Sequence, residues 1–395
     1  MQFQPSVTPQ NRPSTGTSRP LALLCAAAAV ALLNACAQLT SRDAAPLSAL
    51  ASASAPTFRV DSAWPQPLPN NWILGQVSGV TVDTDDHVWV LQRPRSLSED
   101  EAGAAVNPPQ SKCCAPAPPV LEFDAAGKVL RSWGGPGAGY DWPGNEHGVH
   151  VDGNGFVWIT GNGEDDGQLL KFTRDGKFVM QIGQVGPQTS NADTARLGKA
   201  AGVEVDGEAN EVYVADGYQN RRVIVFDATT GAYKRHWGAY GKPPSDAAKV
   251  EAGRPLPPSA EQLRQFGNPV HCVRIAQDGL VYVCDRLNNR IQVFHKDGSY
   301  VKEFRVEPHT AGNGSVWDIV ISRDPQQAWL HLADGRNNQV LTLDRHTGAV
   351  VGSVGRPGRY AGEFHWVHDL AIDSRGNLFA GEVDNGKRVQ KFTRQ

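Results

Sequence analysis

The 395-residue chain is 40% hydrophobic and 20% charged, with 38 basic against 41 acidic side chains. That balance excludes a disordered, collagen-like or coiled-coil chain, and a net charge of −3 excludes a generally basic nucleic-acid binder. Ten Trp, 41 Gly and 27 Pro against two Met point to many short strands joined by turns.

The chain starts with Arg12 and Arg19 ahead of an apolar run from Pro20 to Leu33, with no acidic residue before it. A positive region, a short apolar run and small residues make an export signal rather than a membrane span. The run ends Leu33-Asn34-Ala35-Cys36, similar to a bacterial lipobox, so residues 1–35 read as a signal peptide and Cys36 as a lipidated mature N-terminus. Asn34 is unusual in that box, which leaves ordinary secretion without a lipid as the alternative. Residues 36–57 are rich in Ala, Ser and Pro and read as a flexible tether. The expected location is the periplasmic side of a bacterial membrane, with membrane contact only through that lipid.

Four cysteines then remain, Cys113, Cys114, Cys272 and Cys284, in a compartment that permits disulfides. Cys272 and Cys284 flank a turn at Gln277-Asp278-Gly279 and are spaced symmetrically about Asp278. A cross-strand disulfide or two buried thiols fit that spacing equally well, and the state of Cys113 and Cys114 is open.

From residue 58 onward one pattern recurs six times: an apolar strand, an Asp/Gly turn, a strand such as Val212-Tyr213-Val214, a polar turn and a third strand. Aligned first strands end at Asp83, Asp152, Asp206, Ala276, Ser322 and Asp373, spaced 69, 54, 70, 46 and 51 residues apart. A core unit of about 45 residues with four strands is the arithmetic of a β-propeller blade. The sixth unit ends after three strands, and an unused strand lies at Thr57 to Trp64, just before the first. The sequence therefore predicts an all-β, six-bladed propeller over 58–395, closed by its own N-terminal strand.

Five residues before those aligned ends stand His147, His271 and His368 in blades two, four and six, against Ser78, Ala201 and Trp317 in the others. Alternate blades put equivalent positions roughly 120° apart around the central channel. Three imidazoles converging there leave a fourth position open, as catalytic zinc sites do. The ordinary reading of a single His is a solvated or satisfied side chain, and His150, His236, His309 and His365 receive it. At the ends of the second strands, Arg93 and Arg286 share one aligned position and Tyr218 falls one step further. Arginine forks suit a carboxylate and a Tyr near a metal suits a proton acceptor. The bland alternative for each Arg is an ion pair with one of the repeat Asp residues.

On these residues, with Gly75-Gln76-Val77-Ser78, Asp216-Gly217-Tyr218 and Val367-His368-Asp369, the chain resembles the NHL-repeat propellers and, within them, the peptidyl-α-hydroxyglycine α-amidating lyases. The resemblance implies zinc on His147, His271 and His368, Tyr218 as the base, and Arg93 and Arg286 holding a carboxylate. It also implies a structural calcium in the channel on Asp369 and the backbone carbonyls of Val80 and Val149. The implied reaction splits a peptidyl-α-hydroxyglycine into a peptide amide and glyoxylate. The implied partner is a small or peptide substrate with a carboxylate, bound by a monomer, with no nucleic acid. Two features depart from the family. Trp366 stands where it has a Met, which narrows the mouth, and no copper monooxygenase domain accompanies the propeller in this sequence. The competing class is a non-catalytic, lipid-anchored binding propeller, to which the long loops at 92–119, 184–198 and 239–265 would lend a recognition surface. A third is a zinc hydrolase or lactonase, which a His-rich channel fits less well.

Overall fold

The Asp that ends the innermost strand in blades one and two shows how the repeat closes its first turn. Asp83 accepts the amides of Asp85 and His87 through one carboxylate oxygen and the indole N–H of Trp89 through the other, at 2.9 Å. Asp152 does the same with Asn154, Phe156 and Trp158. One side chain thus closes the turn and fixes the next strand against it.

In the computed structural model, residues 54–187, 190–246 and 256–395 are described. The expected signal peptide, Cys36 and the expected tether up to residue 53 lie outside the described residues. Over 55–395 the chain forms six four-stranded antiparallel sheets and one two-stranded parallel bridge, Trp72–Ile73 with Ala115–Pro116. The innermost strands are Gln76–Val82, Glu146–Val151, Gly202–Asp206, Val270–Ile275, Asp318–Ile321 and Val367–Ile372. Each touches the innermost strand of the next blade, and the last touches the first, so the ring is closed. This is an all-β, six-bladed propeller. Its core is divided into apolar layers between neighbouring blades, such as the layer that joins Cys272 and Ile291 of blade four to Ile319 and Leu332 of blade five.

Closure follows the predicted route. Phe58–Asp61 pairs antiparallel with Arg388–Arg394, Phe58 opposite Arg394 and Asp61 opposite Lys391. Trp64 then turns inward, 5.7 Å from the Phe123 ring of blade one and 5.0 Å from the Phe379 ring of blade six. Cys272 and Cys284 are direct cross-strand partners and form a disulfide; Cys113 and Cys114 are also joined.

Candidate metal centre

The three histidines reach the axis because their strands are irregular there. The ladder between first and second strand skips Ser78 in blade one, His147 and Gly148 in blade two, His271 in blade four and His368 in blade six. A bulge frees a residue from the ladder and re-aims its side chain. Blades three and five are regular, with the amides of Ala201 and Trp317 bonded to Ala215 and Ala333.

The irregular and regular blades then interlock. His147 Nδ1 lies 2.8 Å from the carbonyl of Ala201, His271 Nδ1 2.5 Å from that of Trp317, and His368 Nδ1 2.9 Å from that of Ser78. Each imidazole donates from Nδ1 to the equivalent residue of the following blade, which leaves the Nε2 lone pair for a metal. Gly148 makes the first contact possible, since a Cβ there would lie 2.4 Å from the Ala201 oxygen. The ring centroids stand 4.8, 4.9 and 5.0 Å apart. One nitrogen from each ring falls within 4.8 Å of the other two, close enough to share an ion.

Burial, then the charges of neighbouring cations, hold all three imidazoles well below their usual range; Arg93 acts on His147 and His368, and Arg286 on all three. They are neutral at pH 7, the protonation state a metal requires.

Tyr218 completes the cluster. Its hydroxyl is 2.9 Å from His147 Nε2 and 3.2 Å from His271 Nε2, and it accepts a hydrogen bond from Arg286 Nη1 at 3.3 Å. The preceding Gly217 is pressed against blade four, where a Cβ would sit 2.0 Å from the Val270 oxygen. Only glycine lets this turn lean onto the strand that carries His271.

The two arginines are not the ion pairs of the bland alternative. Asp285 takes the fully buried Arg290 at 2.7 Å, and Asp216 takes Arg222 at 2.8 Å. Among the described residues no carboxylate lies within salt-bridge distance of Arg286 or Arg93. Arg286 is 8% exposed, its Nε has no acceptor, and its guanidinium stacks 4.3 Å over Trp317. Arg93 donates to the Glu146 carbonyl at 2.7 Å and to Gln76 Oε1 at 2.8 Å, both neutral groups. Burial depresses the pKa of both guanidiniums.

Trp366 lies 5.3 Å from Trp317, which in turn packs 5.7 Å from His271 and 5.6 Å from His368. Trp366 is held at a φ of +57°, its amide bonded to Asn338 Oδ1 at 2.6 Å. Left-handed backbone at so bulky a residue is costly and marks a position fixed by its surroundings. The indole wall of Trp317, the bulges and the carbonyl acceptors were not legible as site features in the sequence.

The expected calcium ligands meet differently. Asp369 Oδ2 accepts the amide N–H of Val80 at 2.7 Å, so the contact runs through a donor instead of the carbonyl. Its other oxygen faces the guanidinium of Arg274 at 3.4 Å. Val149 and Asp369 line the same small cavity, which Arg274 and Asp318 line as well. Two further clusters could offer metal ligands, Cys272, Cys284 and Asp318, and Asp83, Asp85 and His87. In the first, the cysteines are consumed by their disulfide. In the second, Arg174 already pairs with both Asp residues.

The NHL repeat family model matches residues 270–294, the first three strands of blade four. Blade four of this propeller thus matches an NHL repeat. NHL repeat-containing protein 3 of Mus musculus is 27% identical over 85% of this chain and 84% of its own length. "Probable peptidyl-alpha-hydroxyglycine alpha-amidating lyase pgal-1" of Caenorhabditis elegans is 24% identical over 80% of this chain and 82% of its own. Peptidyl-glycine alpha-amidating monooxygenase B of Xenopus laevis is 26% identical over 84% of this chain, but the match spans only 35% of that protein's length. The likeness thus extends along nearly the whole propeller, far beyond the single matched repeat.

Proposed function

We propose that this propeller is a zinc-dependent carbon–nitrogen lyase of the amidating-lyase kind, acting on an α-hydroxyglycine with a free carboxylate. The observation that carries it is the buried Arg286 guanidinium and the half-buried Arg93 guanidinium, neither within salt-bridge distance of a carboxylate, beside three neutral, metal-ready imidazoles. Buried cations without an anion are costly. A substrate carboxylate would supply the missing charge, bound by the fork of Arg286 and by Arg93.

His147, His271 and His368 would hold zinc through Nε2, with their Nδ1–H groups anchored on backbone carbonyls. Zinc held there would supply Lewis-acid polarisation of the α-hydroxyl oxygen. Tyr218 stands beside the same ring and would take the hydroxyl proton. As the C–N bond breaks, its electron pair leaves with the nitrogen, the hydroxyl becomes the aldehyde of glyoxylate, and the proton is returned to form the amide. Arg286 bonds Tyr218 and fixes where its oxygen points. Trp317 and Trp366, packed edge to face, would wall one side of the mouth. Export by the N-terminal signal, with a lipid on Cys36, would place the reaction outside the cytoplasm.

Glyoxylate release from a short α-hydroxyglycine peptide, with zinc measured in the same sample, tests this reading. Zinc-loaded protein that releases no glyoxylate overturns the lyase and leaves a zinc propeller of other chemistry. Protein that holds no zinc favours the binding-module alternative.

A further inference from the structure

Directly below the histidine ring, one step along the innermost strands, blades five and six place Asp318 and Asp369, while blades one, two and three place Gly79, Gly148 and Gly202. Two buried carboxylates side by side need positive charge. In the structure that charge comes from blade four. Arg274 Nη2 donates to Asp318 Oδ1 at 2.8 Å and Oδ2 at 2.9 Å, and to Asp369 Oδ1 at 3.4 Å. Its Nη1 lies 3.9 Å from Glu204 of blade three. Two of its donors are used on backbone carbonyls, Nε on Ile319 at 3.0 Å and Nη1 on Val273 at 3.1 Å. The carboxylates are also held by amides of the next blade, Asp318 by Leu370 at 2.9 Å and Asp369 by Val80 at 2.7 Å.

We infer that Arg274 is the built-in cation of the lower channel, so that this propeller needs no second metal ion beneath the histidines. A hard divalent cation such as calcium takes six to eight oxygens at about 2.3–2.6 Å. Here the oxygens of both carboxylates face N–H donors, and N–H groups repel a cation. The cavity between the ring and Arg274 is about 20 Å³, room for roughly one water. Arginine also spans blades three to six from one side chain, and so does the bracing that a channel ion would do. The inference is independent of the lyase reading, because it concerns a different layer of the channel.

The test is elemental analysis and melting of the purified mature protein. No stoichiometric calcium, and a melting temperature indifferent to EGTA or millimolar calcium, is the expected result. One calcium per chain, or a melting temperature that falls in EGTA, overturns the inference. Zinc read from the same digest reports on the histidine ring and not on this layer. Arg274→Gln removes the cation and adds an amide oxygen beside the two carboxylates. It should melt on the order of 10 °C lower and regain much of that loss in millimolar calcium. A folded Arg274→Gln protein no more responsive to calcium than wild type also overturns the inference. If the variant does not fold, the wild-type calcium content decides alone.

Discussion

His368 Nδ1 donates to the carbonyl of Ser78 at 2.9 Å, so the last blade is tied to the first at the level of the histidine ring. The same bond recurs from blade two to three and from four to five. Three of the six blade junctions therefore also set the tautomer of a candidate ligand. The candidate metal ligands and the blade register share their atoms.

This predicts that His147→Ala, His271→Ala and His368→Ala each lose most of the bound zinc. His150→Ala and His365→Ala, which pair instead with Glu204 and Asp384, should keep it. Zinc per chain after desalting is the readout. Full zinc in all five variants would show that the ring is not the ligand set.

Tyr218→Phe keeps the ring against His147, at 4.9 Å between centroids, and removes only the hydroxyl. Zinc content should stay at the wild-type level while glyoxylate release falls about 10²–10⁴-fold, the usual effect of losing a general base. Unchanged turnover would move the proton acceptor elsewhere, most simply to a metal-bound hydroxide.

The sequence carried the blade count, the closing strand and the ring because each is a property of repetition. An alignment of six units shows which positions coincide, and His147, His271 and His368 coincide at every second one. What it could not carry is local departure from the repeat. The bulges at the histidines shift the ladder without any residue that marks them, apart from Gly148. The contact between Asp369 and Arg274 was not legible for a related reason: the two stand two aligned positions and two blades apart in the pattern, and only the closed ring brings them opposite. Likewise, that Asp285 would choose Arg290 over the adjacent Arg286 is decided by a tight turn at Arg286–Asn288.

Closure by the N-terminal strand makes a separable prediction. The last strand contact is the Gln395 amide on the Thr57 carbonyl, 2.9 Å. A chain starting at Ala55 should melt like the mature protein. One starting after Trp64 loses the outer strand of blade six and the indole between blades six and one, and should melt far lower. Thermal melts of the two truncations decide it; equal values would mean that the ring closes without this strand.

Acid should weaken the same junction. His331 is buried edge-on to Phe58 of the closing strand at 5.1 Å. Burial first, then the positive charge of Arg394, lowers its pKa to about 3, against 6.5 when exposed. The unfolded chain therefore binds this proton more readily, and the stability is complete above pH 6.5 and lost as pH falls toward 3. The slope is about 1.4 kcal/mol per pH unit for one such group. His331→Gln removes the titration. Its urea midpoint should fall less steeply than the wild-type midpoint between pH 6.5 and 4. Parallel slopes would assign the acid sensitivity to other groups.

Two arginines four residues apart should respond in opposite ways to the same substitution. Arg290 is fully buried with Asp285 at 2.7 Å and Glu303 at 3.0 Å. Arg290→Met strands a buried carboxylate and should cost about 3–5 kcal/mol. Arg286 has no carboxylate partner, and its Nε has no acceptor. Arg286→Met forfeits the stacking on Trp317, worth about 0.5–2 kcal/mol, but also relieves a buried cation with an unmet donor, which costs about 1–3 kcal/mol. The balance predicts a melting temperature equal to or above wild type. Binding should move the other way, because the fork for the substrate carboxylate is gone and KM should rise steeply. Arg286→Lys keeps the charge without the fork and should fall between the two in KM. The measurement is a paired melt and steady-state series on the three proteins. An Arg286→Met protein that is destabilised as much as Arg290→Met would mean that Arg286 is a structural ion and not a site held open for an anion.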